Sequence, residues 1–375
     1  MQTPPRYRPV VHAVAALTTL VLVVLVAVGG TVTSHDAGMA VPDGFTTFGH
    51  WSLTAPLATW WHDFGTWIEH SHRLVGYVAG WCAIALAVVL VVTQKGRPWL
   101  RWSGVALLLG VIGQGILGIL RVDQISYTLA GIHGVTGQML LWFAFLIALA
   151  SGPWWVRRLR AGRRFEGRRV PVLAWSVLVL LLFQLGLGSA VRHSQSAMAI
   201  PDWPLHYGSV LPPMSQPAVD ATAAEVLANA GAGGGVDLGP QRLAAYDPDG
   251  DGTYAAWQVH LQLTHRIGAY VTTAVIATFI VLWWTRVPAA RVVLGGMGVL
   301  LTLQVTLGVA TIWSGESATY ATLHQTCGAL LGLAAVASLV RVTLGERLEV
   351  PAPRGTASAA AHSAEPRNTG LRVPA

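Results

Sequence analysis

The sequence predicts an all-α integral membrane protein whose eight transmembrane helices form two pseudo-symmetric four-helix bundles, related as a parallel internal repeat. Three observations carry that prediction. Of 375 residues, 53% are hydrophobic and 11% charged, where a soluble domain carries about 25% charged residues. Eight apolar runs each reach the roughly 20 residues that a bilayer requires. The same polar motifs recur in the two halves of the chain. Together these exclude a soluble enzyme and a disordered chain, and two cysteines exclude a disulfide framework. The net charge of +7 does not read as a nucleic-acid surface, because the arginines fall between apolar runs.

Taken in order, the spans are expected near 9–30, 68–94, 99–120, 127–151, 170–191, 258–285, 290–312 and 318–341. The first follows Arg6 and Arg8, exceeds the length of a signal h-region and lacks a small-residue cleavage site. Lys95, Arg97 and Arg101 separate the second and third spans. Seven arginines (157, 158, 160, 163, 164, 168 and 169) separate the fourth and fifth. Arg286 and Arg291 flank the next such gap, and Arg341 and Arg347 close the last span. Residues 31–66 contain no Lys or Arg, and 193–257 contain only Arg242 against seven acids. Both termini are therefore expected in the cytoplasm and the two long loops on the outer face. Tryptophan pairs at 60–61, 154–155 and 283–284 stand at span ends, where an aromatic belt belongs.

The expected organisation is an N-terminal bundle over 1–151, an Arg-rich cytoplasmic linker over 152–169, a C-terminal bundle over 170–346 and a disordered tail over 347–375. Within the outer loop 193–257, the Gly/Ala-rich stretch 226–235 reads as flexible. The run Asp247-Pro-Asp-Gly-Asp-Gly252 resembles half of a calcium loop. It lacks the closing Glu and reads better as an acidic turn.

The repeat is explicit. Glu69-His-Ser-His72-Arg73 opens the second span, and Gln262-Leu-Thr-His265-Arg266 opens the sixth. Gln114-Gly-Ile-Leu-Gly118 in the third matches Gln304-Val-Thr-Leu-Gly308 in the seventh. His133 in the fourth is echoed by His324 in the eighth, and the loop Ala37–Asp43 parallels Ser196–Asp202. With four spans per half, both halves enter the bilayer in the same sense, as in a parallel repeat.

His72, His133, His265 and His324 lie inside spans, about 10 Å below the outer helix ends at 1.5 Å per residue. Ionisable groups at such depth are expensive and mark functional sites. Two imidazoles facing each other across a four-helix bundle suit the two axial positions of a heme iron. A zinc site would need three or four converging ligands. The competing reading, four interhelical hydrogen-bond partners, leaves the common depth and the repeat-related pairing unexplained. The remaining histidines fit less well. His70 is out of phase with His72, His260 is too shallow, and His35, His50, His62, His193 and His206 read as polar loop residues. Cys82 and Cys327 read as core. Gln114, Gln184 and Gln304 are candidates to contact heme edges, but read better as polar contacts between closely packed helices.

The halves differ at one informative position. Glu69 lies one helical turn from His72, on the same face. Its counterpart, Gln262, keeps the shape but cannot exchange a proton. The first half is therefore the candidate reaction site and the second a candidate electron-carrying or structural site. Arg73 and Arg266 are candidates to contact heme propionates, or are helix-end arginines at the interface. Glu69 could instead pair with Arg73 or hold a loop.

These residues together resemble the heme A synthase family. The motif at 69–73, His133, His265-Arg266, His324 and the outer loop Ala197-Met-Ala-Ile-Pro-Asp-Trp-Pro-Leu205, with Gly208 and Pro212-Pro213, carry the resemblance from about residue 20 to 340. It implies oxidation of the ring C8 methyl of heme O to a formyl group, through hydroxylated intermediates with oxygen from water, for heme-copper oxidase biogenesis. By that resemblance His72 and His133 hold the substrate heme, His265 and His324 hold a heme b cofactor, and Glu69 is the family's essential carboxylate. The expected setting is a bacterial plasma membrane. The expected partners are heme O with its supplying synthase, an electron acceptor and the lipid bilayer, and the chain could also associate with its own copies. The chain departs from some members in lacking a cysteine pair in the first outer loop, and the stretch 214–256 is a long acidic insertion. Two other readings compete. A di-heme electron-transfer cytochrome linked to quinol explains the histidine pairs but gives Glu69 no task. A non-enzymatic heme carrier or transporter predicts broken helices near the midplane, and no clear pair of them is visible.

Overall fold

The computed structural model describes residues 6–161, 172–231 and 254–344. Among the described residues, eight helices are long and apolar enough to cross a membrane. In chain order they are α1 (Pro9–Ser34), α3 (Phe64–Thr93), α4 (Pro98–Asp123), α5 (Tyr127–Ser151), α7 (Val172–His193), α9 (Ala256–Arg286), α10 (Arg291–Trp313) and α11 (Ala318–Leu344). Helix is the form that apolar solvent permits, because every interior backbone group bonds within its own segment. The short helices α2 (Leu57–Trp60), α6 (Pro153–Arg160) and α8 (Gln216–Gly231) lie in the connections.

The spans begin and end within four residues of their expected bounds, and the shifts have local causes. α3 starts at Phe64 rather than 68 because the Asp63 carboxylate accepts the Thr66 N–H at 2.9 Å and caps the helix. α1 runs to Ser34 rather than 30. Its Thr31 and Thr33 hydroxyls bond back to the Ala27 and Gly29 carbonyls and so need no water.

Two connecting regions depart from expectation. Residues 153–160, expected as linker, form α6, which starts on Pro153 and buries Trp155 and Val156. The part of the outer loop expected to be flexible overlaps α8, whose sequence is rich in the strong helix former Ala. The acidic run Asp247–Gly252, the distal linker from 162 and the tail lie outside the described residues.

Helices α1, α3, α4 and α5 contact one another in a ring, and α7, α9, α10 and α11 do the same. The rings meet where α1 touches α11 and where α5 touches α7 and α11. Since α1 corresponds to α7 and α5 to α11, the seam contacts exchange under a twofold operation. This is consistent with the expected pair of bundles. One apolar core fills the first ring, with Leu86, Leu107 and Leu141 fully buried. A second, with Ile276, Leu294 and Met297, fills the other. Trp142 packs against both.

The backbone repeats as well as the sequence. Among the described residues, the six non-glycine positions with positive φ form three repeat pairs: Asp36 with Gln195 (50° and 53°), Phe48 with Tyr207 (50° and 55°), and Ile125 with Glu316 (48° and 61°). Gly49 and Gly208 share φ values of 77° and 74°, a left-handed conformation that suits glycine. In each outer loop an Asp carboxylate closes the turn. Asp43 accepts the Gly49 N–H at 2.6 Å, and Asp202 accepts the Gly208 N–H at 2.8 Å.

Candidate functional site

His72 stands on α3, His133 on α5, His265 on α9 and His324 on α11. The ring contacts put α3 and α5 around one interior and α9 and α11 around the other. His72 lies within electrostatic range of His133, and His265 within range of His324. The structure thus brings the four together in the two expected pairs.

Each imidazole lies against a glycine of a neighbouring helix. A Cβ added at Gly29 of α1 would sit 2.9 Å from His72 Cε1, and one at Gly118 of α4 would sit 3.4 Å from His133 Cε1. The corresponding distances are 3.1 Å from Gly188 of α7 to His265 and 2.9 Å from Gly308 of α10 to His324. At Gly29 and Gly308 there is no room for a methyl group and at Gly188 little, so these three glycines let the rings approach the facing backbones, while Gly118 leaves ordinary contact. Gly118 and Gly308 were visible in the repeated Gln-x-x-x-Gly motif. Gly29 and Gly188 had no signal beyond being glycines.

Three glutamines, expected as general packing contacts, meet the histidines themselves. The Gln184 amide nitrogen donates to the His265 carbonyl at 2.9 Å and lies 3.0 Å from Nδ1. His324 Nδ1 lies 3.0 Å from the Gln304 carbonyl oxygen, and its Nε2 lies 3.2 Å from the Gln304 amide nitrogen. With its amide turned to satisfy both ends, Gln114 donates to His133 Nδ1 at 2.9 Å. Such outer partners fix ring orientation. His72 has no glutamine partner, and its ring meets the backbone of Leu25 instead. The position equivalent to Gln184 is Leu25, and His72 Nδ1 makes no hydrogen bond.

Above the pairs, an arginine on each side ties down an outer loop. Arg73 donates to the carbonyls of Asp43 and Thr46, both at 2.6 Å, to Val41 at 3.2 Å, and to Glu69 Oε1 at 2.9 Å. Arg266 donates to the carbonyls of Ile200 at 2.5 Å and Leu205 at 3.2 Å. Val41 and Ile200 are repeat partners, so the two clamps are the same device. Both guanidinium groups, singled out as propionate contacts, are engaged with loop backbone here.

Glu69 is 1% exposed, and both of its oxygens are used. Oε2 accepts the Val41 N–H at 2.8 Å while Oε1 accepts from Arg73. Gln262 instead donates to the Ala197 carbonyl at 2.8 Å, and its own oxygen has no partner. In the first loop, the Gly49 N–H and the Thr46 hydroxyl hold the Asp43 carboxyl below the usual carboxylate range, and Arg73 adds to the effect.

The two sites differ further in groups at the helix ends, one of which, His193, was expected as a loop residue. Arg121, in the last turn of α4, lies within electrostatic range of Glu69, Arg73, His72 and His133. Its counterpart is the uncharged Thr311, three residues past Gly308 as Arg121 is three past Gly118. His193 ends α7 and lies near His133, with its ring Cδ2 3.5 Å from where a Gly131 Cβ would stand. Its counterpart is Ser34. The first pair is thus ringed by a carboxylate, two arginines and a third imidazole. Arg192 donates to Glu316 within the second half at 2.8 Å and, across the seam, to Asp36 at 3.1 Å and to the Thr33 carbonyl.

His70, dismissed for its phase, is buried; it bonds Thr47 at 3.0 Å and stacks on Trp60. Cys327 is buried in the core.

The donor set fits a porphyrin iron better than a bare ion. Among the described residues, no group of three or more His, Cys, Asp or Glu could hold a metal ion. Two imidazoles per half suffice for an iron whose other four positions a porphyrin fills.

Residues 12–336 match the family model described as cytochrome oxidase assembly protein, COX15-CtaA. The heme A synthase of Symbiobacterium thermophilum is 27% identical over 220 residues, covering 55% of this chain and 67% of that protein. The heme A synthase of Rhodopseudomonas palustris strain HaA2 is 25% identical over 383 residues, covering 91% of this chain and 92% of its own. That of strain BisB5 is 25% identical over 390 residues, covering 93% and 95%.

Proposed function

The chain belongs to the COX15-CtaA family of cytochrome oxidase assembly proteins, and from that premise we propose that it synthesises heme A by oxidising heme O. The observation that carries the reading is the contrast between two congruent histidine pairs. Only the first has a carboxylate one turn away, and only the first is ringed by Arg121 and His193.

In this reading residues 1–151 form the substrate half and 170–346 the cofactor half. His72 and His133 ligate the iron of heme O and so fix the porphyrin plane. His72 has no glutamine partner and meets the Leu25 backbone instead. His265 and His324 would hold heme b, which supplies one-electron redox capacity when bound. Converting a methyl to a formyl group with a water oxygen releases four electrons and four protons. Glu69 accepts a proton as water adds at the methyl carbon, and its charge stabilises the cation that develops there. Arg73 orients that carboxylate and closes the outer loop over the site, which limits water. The electrons pass to an acceptor outside the chain. A synthase supplies heme O, and a heme-copper oxidase receives the product. The loops at the histidine end face outward from a bacterial plasma membrane, with both termini in the cytoplasm.

One observation favours a second reading, the di-heme electron-transfer cytochrome. Both Glu69 oxygens already serve the loop clamp, as a purely structural carboxylate would.

Turnover separates the two. The purified chain is reconstituted in lipid vesicles with heme O and a soluble oxidant, and the hemes are extracted and resolved by chromatography with mass detection. Heme A or hydroxylated heme O is expected. Unchanged heme O from protein that has bound it would favour the cytochrome.

A further inference from the structure

One arginine beside the first histidine pair has no task in the proposed reaction. Arg121 is half-buried, and among the described residues its guanidinium makes no hydrogen bond and no ion pair. Glu69, the acid within electrostatic range of it, gives its two oxygens to Arg73 and the Val41 N–H. Asp123, two residues further along α4, accepts the Gly44 N–H at 3.0 Å. Asp36, in the outer loop, faces Arg192.

Helix α4 sets where this cation stands. Its Gly118 lies against the His133 ring, and a Cβ there would sit 3.4 Å from Cε1. Arg121 follows three residues later, so it leaves the same helix face about 4.5 Å nearer the outer end. The guanidinium lies within electrostatic range of both His72 and His133. Its Nη1 reaches the first outer loop, 3.1 Å from where a Gly38 Cβ would stand. Arg121 thus lies between the imidazole pair and the loop above it.

The repeat shows that this cation is no part of the common scaffold. The second half has Thr311 in place of Arg121 and Ala197 in place of Gly38. Thr311 turns its hydroxyl back to the Leu307 carbonyl at 2.8 Å, and Ala197 is buried. The two positions differ together: the first half makes room for a charge that the second does without. Burying a cation without a partner is costly, so an anion brought by the ligand would offset that cost. A heme brings two propionate carboxylates, whose charge favours the aqueous end of the bundle. Guanidinium suits carboxylate, which it binds through two parallel N–H donors. Arg73, the candidate from sequence, already uses its nitrogens on loop carbonyls and Glu69.

We propose that Arg121 binds a propionate carboxylate of the heme held between His72 and His133, and so fixes which edge of the porphyrin faces the outer loop. The proposal rests on the reading of that pair as the heme O site.

The test uses the full chain in nanodiscs, purified from cells that make heme b but no heme O. It is titrated with heme O and with heme O dimethyl ester, whose propionates carry no charge, and binding is followed by the bis-imidazole absorbance. Wild type is expected to bind the free acid more tightly than the ester. Arg121→Gln is expected to weaken the free acid about 10- to 100-fold, the strength of one hydrogen-bonded contact to a charged group. The same variant is expected to bind the ester as wild type does. Arg121→Lys keeps the charge without the paired donors and is expected to fall between. Heme b retained by each variant reports that it is folded. Equal binding of the free acid by wild type and Arg121→Gln would overturn the proposal. So would an equal loss for acid and ester, which would assign Arg121 to packing or to the charge of Glu69. His133→Ala is expected to abolish the titrated signal. A signal that survives that change would overturn the reading of the first pair as the heme O site, and the proposal with it.

Discussion

Replacing Glu69 by Gln is the sharpest single perturbation, because the molecule already contains its control. Truncating a partner of a buried ion pair costs about 3–5 kcal/mol, so Glu69→Ala would confound chemistry with collapse of the loop anchor. Glutamine changes one oxygen to an amide and keeps the shape. At the equivalent place Gln262 stands beside Arg266, and its loop adopts the same turn. In Glu69→Gln the remaining side-chain oxygen can still accept from Val41 N–H or Arg73, but not from both without its partner oxygen. The loss is one hydrogen bond to a charged group, about 1.5–3 kcal/mol. Arg73 keeps its three bonds to loop carbonyls. The loop should therefore stay closed. Proton transfer by a positioned side chain is worth roughly 10²–10⁴-fold, so turnover should fall by at least about 100-fold. The assay is single-turnover conversion of bound heme O, followed by mass, with the heme spectrum recorded on the same sample. Turnover within about threefold of wild type, on the scale of that proton-transfer term, would reduce Glu69 to a loop anchor. Loss of bound heme along with turnover would show that the clamp does not survive the change.

Other outcomes follow from the same geometry. Gly308→Ala places a methyl 2.9 Å from His324 Cε1 and Gly29→Ala does the same to His72. Each should cost about 1–3 kcal/mol by overpacking and displace one imidazole, seen as altered heme absorbance. Gly76→Ala, with nothing within 4 Å, should change neither. The first-loop turn should also respond to pH. The Asp43 carboxyl is held below its ordinary range, so it favours the closed turn at neutral pH and loses that effect only as pH falls through its lowered value. Hydrogen exchange at the Gly49 amide should stay slow from about pH 7 to 5 and quicken only in stronger acid. Asp43→Asn should exchange fast at every pH.

What could be read from the sequence, and what could not, divides along physical lines. The spans were legible because a bilayer demands some 20 apolar residues and tolerates little else. The four histidines were legible because burial of an ionisable group is costly and because the repeat pairs them. The clamps were not. Arg73 and Arg266 bind backbone carbonyls, which every residue carries, so no side-chain pattern announces the bond. Of the glycines under the rings, Gly29 and Gly188 were hidden because glycine is common in spanning helices for packing alone. His193 was read as a polar loop residue, since sequence places it near the interface and does not say which way the helix turns it. α6 was missed because one acid among many arginines reads as solvated chain, while Trp155 and Val156 are what anchor it.

The central claim is that the second pair holds a resident heme b and the first a transient substrate heme. The direct measurement is the heme content of chain purified from cells that make heme b but no heme O. Wild type should carry heme b, His265→Ala and His324→Ala should lose it, and His72→Ala and His133→Ala should keep it. Loss of that heme in His72→Ala, with retention in His265→Ala, would reverse the assignment of the halves and contradict the account.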